Sequence, residues 1–264
     1  MLGIDRIEYI LDKLSDVSKK RAQHGMVTNG VLLKDVVLDV FERYPLDYIQ
    51  ITFDGEKETH DKIRVTHDGK GTFDEILFNL KNFVRRFPNT RVSIRVNLDK
   101  GNINQYLSLR TFLLEELKEN SSRIFIYPGI IKGDYNCQEK DMFLKSPDVL
   151  SFYKEMAEKG SPVELYPEKK YKGCSATCVS GFIIGPNGEF YNCWEDMGCE
   201  DKVVGNVRNS VIVEKKIRRY VMHGHPFDDP VCLKCKMLPI CRGGCAKERI
   251  ENKFEGRQND LQMQ

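Results

Sequence analysis

Eight of the nine cysteines in this 264-residue chain, Cys174, Cys178, Cys193, Cys199, Cys232, Cys235, Cys241 and Cys245, crowd into one C-terminal stretch, and only Cys137 stands apart. Such a cluster folds around disulfides or around metal, and the redox compartment decides between them. Near the N-terminus, Asp5, Arg6 and Glu8 interrupt any apolar signal-peptide core. The chain therefore reads as cytoplasmic, where clustered thiols point to metal. Thiolates on turns and hairpins can converge on one centre, and two four-thiolate sites need eight cysteines, the number present. The tightest pattern is Cys232-Leu-Lys-Cys235, five residues, then Cys241-Arg-Gly-Gly-Cys245. Gly243 and Gly244 either let backbone amides approach cluster sulfur or permit a sharp turn. Spacing alone admits iron–sulfur clusters or structural zinc, since zinc ribbons also use CxxC knuckles.

Composition removes other classes. Lys and Arg number 41 against 39 Asp and Glu, a net charge of +2, which gives no electrostatic case for nucleic acid or an anionic membrane. No apolar run approaches the length of about 18 residues that a membrane span needs.

The length suits two domains of roughly 150 residues or fewer. Up to about residue 160, helical and strand-like segments alternate. Ile4, Ile7, Ile10, Leu11 and Leu14 recur at helical spacing, as does a second helix near residues 33 to 43. Thr72 and Glu75 predict a capping box ahead of Phe73, Ile76, Leu77, Leu80, Phe83 and Val84. Further helices are expected near 103 to 118 and 147 to 159. Strands are expected at Met26–Val27, Tyr48–Phe53, Val92–Leu98 and Ile124–Tyr127. This rhythm predicts parallel β/α units in an open sheet or a barrel. Ile49, Ile51 and Phe53 would face the helices, leaving Gln50 and Thr52 on the other face with Ser93, Arg95 and Asn97. A polar inner face suits a wide barrel holding a ligand, or a half-exposed sheet with one solvated side.

The rhythm stops at Tyr166-Pro167 and the basic stretch Glu168 to Lys172, which places a boundary near residue 165. Beyond it, Gly181 to Tyr191 reads as a hairpin turning at Pro186-Asn187-Gly188, and residues 211 to 222 look helical. His223 and His225 lack a third partner and read as surface residues.

These cysteines resemble the signature of the radical S-adenosylmethionine enzymes that carry a C-terminal SPASM domain. Cys178, nine residues, Gly188, four residues and Cys193 precede Cys232, Cys235, Cys241 and Cys245 at the family's spacings. MVTNGVLL, ITFDG, ETHDKIR and GTFDEI look like the family's middle strands and connections, so the resemblance covers essentially the whole chain. It implies an α/β fold: an incomplete parallel (β/α) partial TIM barrel over residues 1–165, then a cysteine-rich iron–sulfur SPASM domain over 166–264.

Position by position, the resemblance assigns Cys174, Cys178, Cys193 and Cys245 to one auxiliary four-iron four-sulfur cluster, and Cys232, Cys235 and Cys241 to three corners of a second. The family's last cysteine has no counterpart from Ala246 to Gln264. Either Cys199, extra to the pattern, fills that position, or the chain ends before it, or that iron is open to substrate. The CxxxCxxC loop of the catalytic cluster and a Gly-Gly-Glu-Pro motif are also missing, as in a member truncated before the barrel's third strand. Such a polypeptide alone is expected to make no 5′-deoxyadenosyl radical, and to be poorly soluble through the exposed edge of the strand leading to Thr28.

Arg64 and Arg95 are candidates for the carboxylate of S-adenosylmethionine, with Thr28, Asn29, Thr52, Asp54 and Asn97 as lining. Sulfatase maturases place an aspartate directly after the third SPASM cysteine, where this chain has Trp194 and then Glu195 and Asp196 as displaced acids. The implied activity is modification of a precursor peptide or protein by hydrogen abstraction, fed by a donor such as ferredoxin or flavodoxin. A noncatalytic iron–sulfur electron-transfer or peptide-binding partner and a zinc-stabilised interaction module are the alternatives.

Overall fold

The computed structural model describes residues 3–17, 22–131, 143–161, 163, 174–209 and 211–256. Cys137 and the stretch from Tyr166 to Lys172 lie outside the described residues. The chain divides into two compact units, residues 1–163 and 164–264.

In the first unit, helix α1 (Ile4–Val17) is followed by β1 (Gly25–Thr28), α2 (Asp35–Arg43), β2 (Tyr48–Phe53), α3 (Lys57–Ile63) and α4 (Phe73–Arg86). Strand β3 (Arg91–Leu98), α5 (Tyr106–Glu116), β4 (Ile124–Ile130) and α6 (Ser146–Glu158) complete it. The strands lie side by side in chain order, all parallel, with Ile51 opposite Thr28 and Ile94, and Ile94 opposite Ile126. Period-two alternation explains this. Ile49, Ile51 and Phe53 of β2 and Val92, Ile94, Val96 and Leu98 of β3 are buried. They form one core with Phe41 of α2, Ile76, Leu80 and Phe83 of α4, Leu113 of α5 and Phe152 of α6.

The opposite face is different. Val27, Gln50, Ser93 and Phe125 share one register row and Thr52, Arg95 and Tyr127 the next. Apart from the buried Thr52 these residues are half-buried or exposed. The sheet therefore has an apolar helix-covered face and a mixed face carrying polar groups toward its C-terminal end.

Two local expectations change. Thr72 makes no capping bond at the start of α4. Its hydroxyl points inward, donating to the Arg64 carbonyl at 2.9 Å and lying 3.1 Å from His60 Nε2. The cap comes instead from Asp61, whose Oδ1 accepts the Phe73 N–H at 2.8 Å, while Glu75 pairs with Lys34. The segment predicted as helix over 103 to 118 opens with a separate one-turn 3-10 helix, Ile103–Gln105, and the regular part ends at Glu116.

The second unit is a four-stranded antiparallel meander of β5 (Ile183–Ile184), β6 (Glu189–Tyr191), β7 (Gly205–Asn206) and β8 (Val211–Ile212), followed by α7 (Glu214–His223), α8 (Pro230–Lys234), α9 (Leu238–Cys241) and α10 (Ala246–Phe254). The predicted hairpin is β5–β6, turning through Gly188 at φ +86°. Residues 211 and 212 pair with β7 instead of starting the helix. Among the described residues its main apolar cluster is small, Ala176, Cys193, Tyr220, Ala246 and Ile250, with Ile183, Tyr191, Val204 and Ile217 buried outside it.

Candidate functional site

On the mixed face of the sheet, one chain of hydrogen bonds links four of the predicted residues. Arg64 Nε donates to Asp54 Oδ2, Asn97 Nδ2 to Asp54 Oδ1 at 2.7 Å, and Arg95 Nε to Asn97 Oδ1 at 2.8 Å. Asp54 ends β2 and is buried, so its carboxylate is held by a guanidinium and an amide in place of water. Gly129 makes room for Arg95, since a Cβ there would collide with the Arg95 side chain. The Arg95 bond to Asn97 uses Nε and leaves the terminal nitrogens of the fork for a carboxylate. Arg64, by contrast, is committed to Asp54.

Thr52 sits beside Arg95 in the register, whereas Thr28 and Asn29 are drawn into the turn after β1. Thr28 Oγ1 accepts the Gly30 N–H at 3.2 Å and Asn29 Oδ1 the Val31 N–H at 3.3 Å. Gly30 takes φ +84° there, packed under Ile76, a position that a side chain could not share.

The sequence reading missed the supports of this network. His60 is fully buried between Phe53 and Phe73, and its Nδ1 accepts the Asp54 N–H at 3.1 Å. Burial holds its pKa below the ordinary value. Asn102 Nδ2 donates to the carbonyls of Asp54 and Asn97, and Tyr127 OH to Gln50 Oε1 at 2.7 Å. His60 lay inside the ETHDKIR segment, but only tertiary contact reveals its role.

The cysteines occupy the second unit. Cys174 precedes and Cys178 closes the one-turn helix Ser175–Thr177, with Cys178 Sγ 3.8 Å from the Cys174 carbonyl. Cys193 follows β6 and is buried in the small core. Burial above all, helped by the nearby Asp196, Cys245 and Cys174, pushes its thiol up to about 11. Cys245 sits at the N-cap of α10, raised by burial, while the backbone amides of Glu248 and Lys247 act the other way. Segments separated widely in sequence thus bring Cys174, Cys193 and Cys245 within electrostatic reach of one another.

Cys232 lies in α8, and the Cys235 N–H donates to its carbonyl at 3.0 Å. Cys241 ends α9, after which Arg242, Gly243 and Gly244 all take positive φ, so the two glycines make the sharp turn. Asp229 Oδ1 accepts the N–H groups of Val231 and Cys232, and its Oδ2 accepts Arg249 Nη1 at 2.6 Å. Arg249 Nη2 in turn donates to Cys232 Sγ at 3.2 Å. Cys199 is exposed.

The donor set fits iron–sulfur ligation. The described cysteines form no disulfide, their thiols lie on turns and helix ends, and buried polar atoms near them lack partners: both amide atoms of Asn192, beside Cys193, and Nε of Arg249. Among the described residues no three His, Cys, Asp or Glu side chains gather closely enough to hold a single ion.

Of the two displaced acids, Glu195 is exposed and Asp196 is buried. Asp196 Oδ2 accepts Tyr220 OH at 2.6 Å, its Oδ1 is without a partner, and burial raises its pKa. His223 Nδ1 lies 3.1 Å from Asp228 Oδ2, and His225 caps Pro226–Asp228, so both are surface contacts. No described helix is long and apolar enough to cross a membrane.

No family model matches the chain. It is 22% identical over 284 residues to a cysteine-type anaerobic sulfatase-maturating enzyme of Clostridium novyi (strain NT), covering 98% of this chain and 74% of the relative. It is 26% identical over 162 residues to an Fe-coproporphyrin III synthase of Methanosarcina barkeri (strain Fusaro / DSM 804), covering 59% and 39% respectively. Among solved structures it matches native anSMEcpe with bound AdoMet at TM-score 0.62 and 18% identity, covering 98% of this chain and 74% of that one. It also matches the same protein with AdoMet and the Cp18Cys peptide at TM-score 0.65 and 18% identity, covering 98% and 75%. In sequence and in fold alike, the chain resembles the radical S-adenosylmethionine enzymes of the sulfatase-maturase kind.

Proposed function

We propose that this chain works in radical S-adenosylmethionine chemistry of the sulfatase-maturase kind, with residues 1–165 as the substrate and S-adenosylmethionine domain and 166–264 as a SPASM domain, and that it modifies a precursor peptide or protein only together with a catalytic cluster for which its own sequence holds no CxxxCxxC loop, being inactive by itself. The observation that carries this reading is that Cys193, buried in the small core of the second unit, lies within electrostatic reach of the exposed Cys174 and of Cys245 at the start of α10. A central apolar cluster this small supplies little burial energy, and cluster ligation would offset that deficit, because metal binding is folding free energy in small units.

Cys174, Cys178, Cys193 and Cys245 would hold the first four-iron four-sulfur cluster, and Cys232, Cys235 and Cys241 the second. Cys199 is the one described cysteine left for the second cluster's fourth iron. When bound, S-adenosylmethionine supplies the hydrogen-abstracting chemistry. The Arg95 fork orients its carboxylate, and Asp54, Arg64 and Asn97 hold that fork in place, while Thr52 lines the same register row. Thr28 and Asn29 shape the edge beside it through the Gly30 turn. Glu195, exposed, is the acid free to take a substrate proton, and Asp196 is held back by Tyr220. Reducing equivalents come from a ferredoxin or flavodoxin, and the protein works in the cytoplasm. Support for a peptide substrate comes from the neighbour's bound peptide.

The test is anaerobic reconstitution followed by iron, sulfide and zinc analysis. Two clusters require about eight iron and eight sulfide per chain. About two zinc with no sulfide would overturn the reading in favour of a zinc module.

A further inference from the structure

We propose that Arg249 is the positioning residue of the second cluster, holding the Cys232 sulfur through Nη2 and offering its last buried donor, Nε–H, to the cluster. This rests on the iron–sulfur reading above. Arg249 on α10 is only 6% exposed, as buried as Glu251 of the same helix, while Lys247 and Glu248 are half-buried and Lys253 is exposed. The arginine fork is fixed on three sides: Nη1 donates to Asp229 Oδ2 at 2.6 Å, Nη2 to Cys232 Sγ at 3.2 Å, and Nη2 also to the Gly243 carbonyl. Asp229 is fixed in turn by the N–H groups of Val231 and Cys232. The guanidinium thus ties together the start of α8, which carries Cys232, and the glycine turn between Cys241 and Cys245.

Two further observations make this more than a structural ion pair. Nε is buried with no partner in the protein, a state that native structures seldom leave unless a ligand or water completes it. Gly243 is packed against both Pro226 and the arginine: it takes φ +87°, and a Cβ there would collide with Pro226 Cβ and lie 2.8 Å from Arg249 Nη2. Asp229 Oδ2 is ion-paired with Arg249. A cluster with anionic thiolates beside it would accept the donor that Nε leaves unused. An arginine donating to sulfur stabilises the more negative, reduced cluster, so it raises that cluster's potential.

The experiment compares full-length wild type, Arg249→Gln and Arg249→Lys after anaerobic reconstitution, by EPR-monitored redox titration and by the rate of iron loss to a chelator. In Arg249→Gln, one midpoint potential is expected to fall while the other stays, and iron is expected to leave that cluster several-fold faster. Arg249→Lys restores the charge and should recover most of the potential, but its single ammonium cannot hold three partners, so faster iron loss persists. In a Cys232→Ser background, Arg249→Gln should add no further shift. A folded, fully loaded Arg249→Gln with both potentials and the loss rate unchanged overturns the proposal. If Arg249→Gln does not fold, a wild-type loss rate in Arg249→Lys overturns it. A wild-type chain that takes up no iron and sulfide brings down the iron–sulfur reading and this proposal together, an outcome distinct from a loaded wild type with indifferent variants.

Discussion

His60 and Asp54 are joined by a hydrogen bond in which a buried imidazole, through Nδ1, accepts the backbone N–H that presents the Asp54 carboxylate. The other ring nitrogen faces Thr72 Oγ1, whose own hydroxyl donates to the Arg64 carbonyl. One neutral ring therefore sets both members of the Asp54–Arg64 ion pair. An imidazolium would place a proton where the amide proton now points.

This arrangement predicts a pH dependence. Burial holds the folded pKa of His60 below its ordinary 6.5. Above pH 6.5 the ring is neutral folded and unfolded, and stability is at its full value. Below it, the unfolded chain takes a proton that the fold refuses, so stability falls with decreasing pH by at most about 1.4 kcal/mol per unit for this group, until the folded pKa is reached. Urea unfolding of wild type and His60→Asn between pH 5 and 8 checks this: the wild type should lose more stability on acidification. Parallel pH profiles would refute the assignment.

The Asp54 carboxylate predicts an asymmetric cost of mutation. Asp54→Ala leaves Arg64 and Asn97 facing a gap, and because the Arg64 side chain is about a third exposed the loss should be near 2 kcal/mol, below the usual penalty for breaking a fully buried pair. Asp54→Asn keeps the shape and the Asn97 contact and should lose less. Denaturant midpoints at constant m-value decide it; equal losses would assign the whole effect to the charge and none to the retained shape and Asn97 contact.

The two faces of the sheet predict a contrast between residues of the adjacent strands β1 and β2. Ile51 is fully buried under the helices, so Ile51→Ala should cost about 3 kcal/mol through lost burial and a cavity. Val27 lies on the mixed face, 66% exposed, and Val27→Ala should change stability by less than about 0.5 kcal/mol. A similar cost at both sites would contradict the one-sided packing.

Asp196 predicts the opposite pH behaviour from His60. Its carboxyl is buried, with only Tyr220 OH as a side-chain donor, and its pKa is raised above the ordinary 3.8. The proton is bound more tightly in the fold, so this group's favourable contribution is complete below pH 3.8 and disappears as pH rises through the folded value. Asp196→Asn should therefore gain stability relative to wild type as pH rises from 4 to 7. A variant less stable than wild type at pH 7 would show the carboxylate to be satisfied in a way that Tyr220 alone does not provide.

Period and spacing carried the fold a long way. Tyr48–Phe53 appears with the predicted limits because β-branched alternation faces a helix-covered core. What stayed hidden depends on contacts between distant residues. The Thr72–Glu75 pair has the capping signature, yet His60 draws the Thr72 hydroxyl inward and Asp61 takes over the cap. Residues 211 and 212 fit a helical pattern, but β7 offers them ladder hydrogen bonds. Nothing local marks Arg249 as different from Lys247 or Lys253 on the same short helix. Its burial follows from where Asp229 and Gly243 lie.

Cys193 and Cys199 lie six residues apart and should respond oppositely to the same substitution. Cys193 is buried with Ala176, Tyr220, Ala246 and Ile250, facing Cys174 and Cys245, so Cys193→Ser should lose about four iron per chain. It should also destabilise the second unit, because ligation there supplements a small central apolar cluster. Cys199 is exposed and stands before the one-turn helix Glu200–Lys202. As the candidate fourth ligand of the second cluster, Cys199→Ser should leave the first cluster's signal intact and alter only the second's EPR signal, while three thiolates still retain most of the iron. Iron analysis with EPR of the reduced proteins separates the two. An unchanged spectrum in Cys199→Ser would remove Cys199 from the ligand set, and full iron in Cys193→Ser would remove Cys193.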